Sequence, residues 1–277
     1  MNTKLKKILI KSKKEVFSEI IGNNSSKLKG EGYDFLELKE YEYAEDVKNI
    51  DWVISAKLQK PYVKIFHAQK ELNINLIALL NGSVHFGTNK FKQELICEIC
   101  SILAFSTIKQ GDSFSSYIAN EKLTLCTKKS KKSFSVEKMA KDIFEYNSIG
   151  KKLSYKTVTN SIFSHLKRRS LIFLIGDFFN IEELDLKLLS KKHELVVIII
   201  RDRFEENLTS LGNINIKDLE DGLEHKGFIS NNTLESYKKH IKKSDYLLYE
   251  HLRKCNANFI KIYTDENPIS KLTRLMK

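Results

Sequence analysis

Two places in this sequence set polar side chains directly after compact apolar runs. Residues 72–80 lead into Asn81-Gly82-Ser83-Val84-His85-Phe86-Gly87, and residues 171–175 lead into Gly176-Asp177-Phe178. Runs of this kind fit strands buried on both faces of a parallel sheet, and open α/β sheets bind ligands beyond the carboxyl ends of their strands. An acidic residue at such an end can ligate a hard cation. It can also cap a following helix, the commoner use of an acid in that position.

Other chemistry finds little support. No Walker loop, GxGxxG turn, GxSxG elbow or HExxH helix occurs in the chain. Cys97-Glu98-Ile99-Cys100 is a lone CxxC with no second pair to complete a tetrahedral site, and reads as two small core residues one turn apart. His67, His85 and His165 could approach the strand ends, but each is better read as a surface or internally satisfied residue. No nucleophile, base and orienting group can be assembled from what remains. The chain is therefore expected to be no enzyme and to need no cofactor.

The elements that must position these residues follow from periodicity. Leu5, Ile8, Leu9, Val16, Phe17, Ile20 and Ile21 lie at near-helical spacing and predict an amphipathic helix over 3–21. Between Gly30 and Phe66, aromatic and β-branched residues alternate with polar ones, which predicts a small antiparallel β element. After residue 70, compact runs at 72–80, 171–175, 195–200 and 259–263 read as strands. Helix-length segments at 91–108, 158–166, 182–189 and 234–252 separate them, with further strands near 113–118 and 122–126 and a helix near 136–146. Segment 91–108 is apolar almost all round and should be buried. The alternation predicts a doubly wound, mostly parallel α/β sheet. The expected organisation is residues 1–28 as N-terminal helix and linker, 29–70 as β subdomain and 71–277 as the α/β domain.

At 277 residues, 42% hydrophobic and 30% charged, the chain can bury a core without disulfides or a structural metal. Four cysteines in such a length suit a reducing cytoplasm. No apolar run approaches the roughly 20 residues of a membrane helix, and the first residues lack the apolar core of a signal peptide. The net charge of +12 raises an alternative function, a Lys-rich nucleic-acid-binding protein. Only six of the 47 basic residues are Arg, however, and phosphate and base recognition favours Arg's planar fork. The tightest cluster, Lys128-Lys129-Ser130-Lys131-Lys132, contains no aromatic residue. Composition points away from nucleic acid and towards solvated lysine faces.

The most specific stretch runs from Gly30 to Lys57. It carries Gly32, Phe35, Glu37, Leu38, Tyr41, Asp46, Val47, Ile50, Asp51 and Trp52 in unbroken order. It resembles the bacterial family catalogued as domain of unknown function fifty-eight, whose signature pairs Gly-x-Gly-x-x-Phe-x-Glu-Leu-Arg-x-Tyr with Gly-Asp-Asp-Val-Arg-x-Ile-Asp-Trp and Ala-Arg. Lys39, Lys48 and Lys57 stand where the family usually has Arg, and Ala44-Glu45 where it often has Gly-Asp. Weaker similarity at Phe86-Gly87 then Lys90, at Gly111-Asp112, at Arg169-Ser170-Leu171-Ile172 then Asp177-Phe178, at Arg201-Asp202 then Glu205, and at Thr264-Asp265 extends the resemblance over roughly 29–277. The signature residues are expected to be structural. Trp52, the sole tryptophan, reads as an anchor docking the β element on the main sheet, with Asp46 or Asp51 pairing a lysine or capping a turn.

The resemblance implies a von Willebrand factor A-like domain in a cytoplasmic bacterial protein, working beside a MoxR-type AAA+ ATPase as an adaptor. Such domains hold Mg²⁺ through Asp-x-Ser-x-Ser, a Thr from a second loop and an Asp from a third. Aligned on Ser-x-x-Phe-Gly, the first three positions here are Leu79, Asn81 and Ser83, and Thr157 and Asp177 match the other two. One carboxylate remains where the site wants two, so the metal site is expected to be degenerate and to hold no metal. Asn81, Ser83, Thr157 and Asp177 then become candidates for contact with a protein partner.

Overall fold

The computed structural model describes residues 2–23, 35–42, 47–66, 71–208 and 212–275. Gly32 and Asp46 of the family signature lie outside them. The chain opens with helix α1 (Thr3–Asn23), followed by β1 (Phe35–Glu40), α2 (Trp52–Leu58) and β2 (Tyr62–Phe66). Then come β3 (Asn73–Leu79), α3 (Lys92–Lys109), β4 (Ser113–Ala119), β5 (Leu123–Ser130), α4 (Ser133–Phe144) and α5 (Tyr155–His165). The remainder is β6 (Leu171–Gly176), α6 (Lys187–Lys192), β7 (Glu194–Arg201), α7 (Arg203–Glu206), β8 (Gly212–Lys217), β9 (Glu224–Ile229), α8 (Asn231–Lys254), β10 (Asn258–Tyr263) and α9 (Pro268–Leu275). Two compact units result, one of residues 1–18 with 72–277 and one of residues 19–71.

In the smaller unit β1 and β2 pair antiparallel, Leu38 opposite Lys64 and Glu40 opposite Tyr62. Ile50 bridges to Val63, and the Tyr41 backbone N–H donates to the Pro61 carbonyl. The expected β reading misses α2 between these strands. Asp51 opens it as an N-cap, accepting from the backbone N–H groups of Val53 at 3.0 Å and Ile54 at 3.1 Å. That helix turns Ser55 inward, where its hydroxyl accepts from the Tyr62 N–H at 2.8 Å, and turns Trp52 and Val53 outward. Trp52 is 66% exposed. The expectation of a buried indole anchor is therefore corrected: the cap sets the helix register, and that register leaves Trp52 on the wet side. Val47, in a short 3₁₀ turn, is likewise exposed.

The larger unit is built on a six-stranded sheet in the order β10-β7-β6-β3-β4-β5. All neighbours run parallel except β5, which is antiparallel to β4. Because successive strand residues face opposite sides, Leu76 and Ala78 enter one core while Ile77 and Leu79 enter the other. The first core is closed by α1, α3, α4 and α9, the second by α5, α6 and α8. This is the doubly wound, von Willebrand A-like α/β arrangement expected, accompanied by an N-terminal helix and a small antiparallel sheet.

Helix α3 is buried along most of its length, Cys97 and Cys100 included. Burial pushes the Cys97 thiol up to about 12, so the CxxC is inert core. Two carboxylates on the same helix reach α1: Glu94 meets Lys4 at 2.6 Å, and Glu98 meets Lys11 at 2.7 Å. With Leu5, Leu9 and Val16 buried beside them, the first 18 residues belong to the α/β unit. The expected separate segment of residues 1–28 is corrected accordingly, since the apolar stripe of α1 closes the core over α3.

The helix expected over 182–189 is also shorter. Asn180 and Asp185 accept from the backbone N–H groups of Glu182 and Lys187, and such side-chain turns compete with helix formation. Helix α6 therefore starts at Lys187. Among the described residues, no helix is long and apolar enough to cross a membrane.

Candidate functional site

From β3 the chain winds outward through β4 and β5, then returns to the other side of β3 through β6, β7 and β10. The winding thus reverses between β3 and β6, and the loops leaving these two strands stand side by side, the arrangement that makes a crevice in open α/β sheets. Gly176 permits the close approach. A Cβ there would lie 2.7 Å from the Leu79 Cβ. Directly after it, Asp177 is buried, and Phe178 adopts a left-handed φ of 51° with its ring against Tyr155.

Asp177 is held from two sides. The Ser83 hydroxyl donates to its Oδ2, and Lys92 Nζ lies 3.1 Å from the same oxygen. Lys92 is fully buried at the start of α3, and its ammonium also donates to Glu205 Oε1 at 2.7 Å. Arg201, at the end of β7, is buried and places its guanidinium 3.6 Å from the Phe179 ring centre. It donates to the Phe178 carbonyl at 3.2 Å and to Asp245 at 3.0 Å. Burial opposes ionisation of Asp177, but the charges of Lys92 and Arg201 and the hydrogen bonds from Ser83 and Lys92 outweigh it and hold the carboxyl below its ordinary range. Glu205 goes the other way, because burial and the nearby Asp177 charge together exceed the pull of Lys92.

Above these groups lies a cavity of about 410 Å³, lined by Asn81, Ser83, Tyr155, Asp177, Phe179, Glu205 and Tyr237, and closed by residues 217–220 of the β8–β9 turn. That turn is clamped to the rim. Its Leu219 carbonyl accepts from the Gly150 N–H at 2.8 Å, and a Cβ on Gly82 would come within 2.3 Å of the same oxygen. The Asn81 side-chain amide donates to Glu220.

Of the four expected partner-contact residues, Asn81, Ser83 and Asp177 come together here. Thr157 does not line the cavity. It is an exposed residue in the first turn of α5, its N–H and hydroxyl engaged by Ser154, the cap of that helix. Tyr155, in the same first turn of α5, lines the cavity instead. The helix-cap reading of Asp177 fails, since no helix begins until Lys187. His85 is satisfied, 3.1 Å from Gln93 and 3.3 Å from Ser148.

Sequence reasoning gave no site role to Lys92, Arg201, Glu205, Glu220 or Tyr237, although Arg201 and Glu205 stood in the family resemblance. For Arg201 the signal was present, since it ends the apolar run 195–200 just as Asp177 follows 171–175. Lys92 opens a helix that is otherwise apolar, and only the fold shows where its ammonium goes.

These residues do not fit the divalent ion that the resemblance implied. Leu79 is packed into the second core. The amide of Asn81 is turned to Glu220, Thr157 is elsewhere, and the Lys92 ammonium already occupies Asp177 and Glu205. Among the described residues no group of three or more His, Cys, Asp or Glu side chains is placed to hold a metal ion.

Comparison with known proteins adds the family. The description "Protein of unknown function DUF58" matches residues 37–245. Proteins of Mycobacterium tuberculosis and Mycobacterium bovis, both described as uncharacterized, are each 20% identical over 262 residues, spanning 92% of this chain and 82% of their own. Among solved structures, BatB from Bacteroides thetaiotaomicron is 9% identical with a TM-score of 0.43, covering 74% of this chain and 96% of its own. An aerotolerance-related membrane protein from Bacteroides fragilis gives 11%, 0.43, 74% and 96%. With well over half of its length under the family match, the chain belongs to the DUF58 family.

Proposed function

We propose that this chain is a non-catalytic protein-interaction module of the cytoplasm, an adaptor that works with a MoxR-type AAA+ ATPase and engages its partner at the carboxyl edge of the main sheet. The observation that carries this reading is the Ser83–Asp177–Lys92–Glu205 cluster beneath the cavity. A hydroxyl facing a carboxylate could be a nucleophile with its base. Here, however, the carboxyl is held below its ordinary range, which makes it a weak base, and the neighbouring ammonium is committed to two carboxylates. Such a cluster fixes loops and presents a shaped, charged rim; it does not activate a hydroxyl. The cytoplasm supplies the ATP such a partner needs.

The acidic cavity also weighs against phosphate at this rim. The test is co-expression of the full chain with the AAA+ ATPases of its source genome, followed by size-exclusion chromatography. A stable complex, weakened by joint substitution of Ser83 and Asp177 in a variant whose circular dichroism is unchanged, is the expected result. Absence of any complex overturns the adaptor reading, and binding that weakens steeply with salt towards RNA or DNA instead would favour the nucleic-acid alternative.

A further inference from the structure

The rim carries a charge opposite to that of the whole molecule. Four carboxylates line the cavity, Asp177, Glu205, Asp218 and Glu220, against one lysine, Lys217. The buried Lys92 answers one charge of the Asp177–Glu205 pair, the Arg201 charge also acts on Asp177 while its guanidinium pairs Asp245, Lys217 lies 3.9 Å from Glu224, and Lys152 acts on Glu220. The cavity is thus left negative on a chain of net charge +12.

A second observation points to a ligand. Asn81 is 7% exposed and lines the cavity, and its Oδ1 has no hydrogen-bond partner among the described residues. The amide cannot simply be turned round, because its nitrogen is needed to donate to Glu220. A buried acceptor without a donor is costly; this oxygen is itself shut off from solvent, so a donor brought from outside reaches it when the Asn81 side chain turns towards the cavity.

A third feature gives direction. The cavity shares Phe179, Asn180 and Tyr237 with a neighbouring groove of about 710 Å³, whose wall on α8 sets Ile241 and Leu247 among His240, Lys243 and Ser244.

We infer that this cavity receives the guanidinium of an arginine on a partner protein, with adjoining apolar residues of that partner lying along the groove beside α8. The inference rests on the interaction-module reading and names the chemistry of what that module binds. Guanidinium offers five N–H donors in one plane and no acceptor, which matches a neutral amide oxygen set among carboxylates. It also tolerates aromatic walls such as Tyr155 and Tyr237. A metal ion is not required, because Lys92 supplies the internal cation that keeps Asp177 and Glu205 together.

The probe is N-acetyl-arginyl-leucinamide, titrated into the ¹⁵N-labelled full chain and followed by NMR, with N-acetyl-glutamyl-leucinamide as control. Saturable shifts at the Asn81 side-chain amide and the 217–220 backbone are expected with the arginine compound alone. The E220Q/D218N double variant keeps the hydrogen-bonding oxygens but loses two charges, and should weaken binding about tenfold or more while its melting temperature stays unchanged. No saturable shift, equal binding of the glutamyl compound, or undiminished binding by the variant overturns the inference. An ATPase complex that forms without arginine binding overturns this inference alone. Arginine binding without any ATPase complex leaves it standing and removes the adaptor reading.

Discussion

Replacing Lys92 by methionine keeps the reach of the side chain and deletes its charge. Asp177 and Glu205 would then face each other in the interior without an ammonium between them. Breaking a buried pair by removing one partner costs about 3–5 kcal/mol, and K92M should show that loss in chemical denaturation. A loss under about 1 kcal/mol would mean that the cluster contributes no more than a surface ion pair.

The two carboxyls also fix a pH signature. Asp177 titrates below its ordinary value in the fold, so its contribution is present above about pH 3.9 and is lost as pH falls through the lowered value. Glu205 titrates above its ordinary value, so its contribution is full below about pH 4.3 and is lost as pH rises through the raised value. The stability gap between the native chain and D177N should therefore shrink on acidification below about pH 3.9. The gap to E205Q should shrink in the opposite direction, above about pH 4.3. Parallel curves for the two variants would contradict these assignments. At this scale the sequence disclosed Asp177, Ser83 and Asn81, because each follows an apolar run that announces a strand end. It gave Glu205 only as part of the family resemblance and was silent on Lys92; their roles depend on a contact between residues 113 positions apart.

Elements place these side chains through close approaches that admit little change. Gly176→Ala would push a methyl against Leu79, and overpacking of this kind costs about 1–3 kcal/mol. Trimming Leu79 to alanine in the same chain should recover part of that loss, so the two effects should fail to add by more than about 0.5 kcal/mol. Strict additivity would place the strain elsewhere. That β3 and β6 are strands was legible, since both runs are almost wholly apolar, as doubly covered strands are; that they pair was not.

Helix α2 was not, because seven residues inside a stretch of alternating aromatics carry too little periodicity to declare a helix. Its one local signal was Asp51 ahead of Trp52. The consequence is testable: Trp52→Ala should change stability by no more than about 0.5 kcal/mol, as exposed substitutions do, whereas Asp51→Ala should cost about 1 kcal/mol through the lost cap. The indole of the native chain should also be readily quenched by iodide. A protected, blue-shifted emission would restore the anchor reading.

On the scale of the whole molecule, composition and rhythm were enough for the α/β class and for the buried α3. They could not show that α1 belongs to that unit. Its apolar stripe announces a partner without saying which one, and the partner lies far along the chain. The β8–β9 turn shows the same limit in a polar segment, for nothing in residues 217–220 indicates that they close a cavity against Gly82 and Gly150.

The pairing of α1 with α3 also says something about how the chain is made. Lys4 and Glu94 are 90 positions apart, and Lys11 and Glu98 are 87 apart. During synthesis the first helix leaves the ribosome with Leu5, Leu9 and Val16 uncovered, and must wait for α3 before that stripe can be buried. The loop in the chain that this pairing closes includes residues 24–71. Closing a loop grows costlier only with the logarithm of its length, about 0.6 kcal/mol for each doubling. Inserting a flexible segment of Gly and Ser that doubles this stretch should therefore lower the stability of the α/β unit by no more than about 1 kcal/mol, read from its denaturation midpoint. A larger drop would mean that residues 24–71 contribute more than connection. If the small drop is observed, this part of the chain is free to vary in length while the sheet and its rim stay as they are.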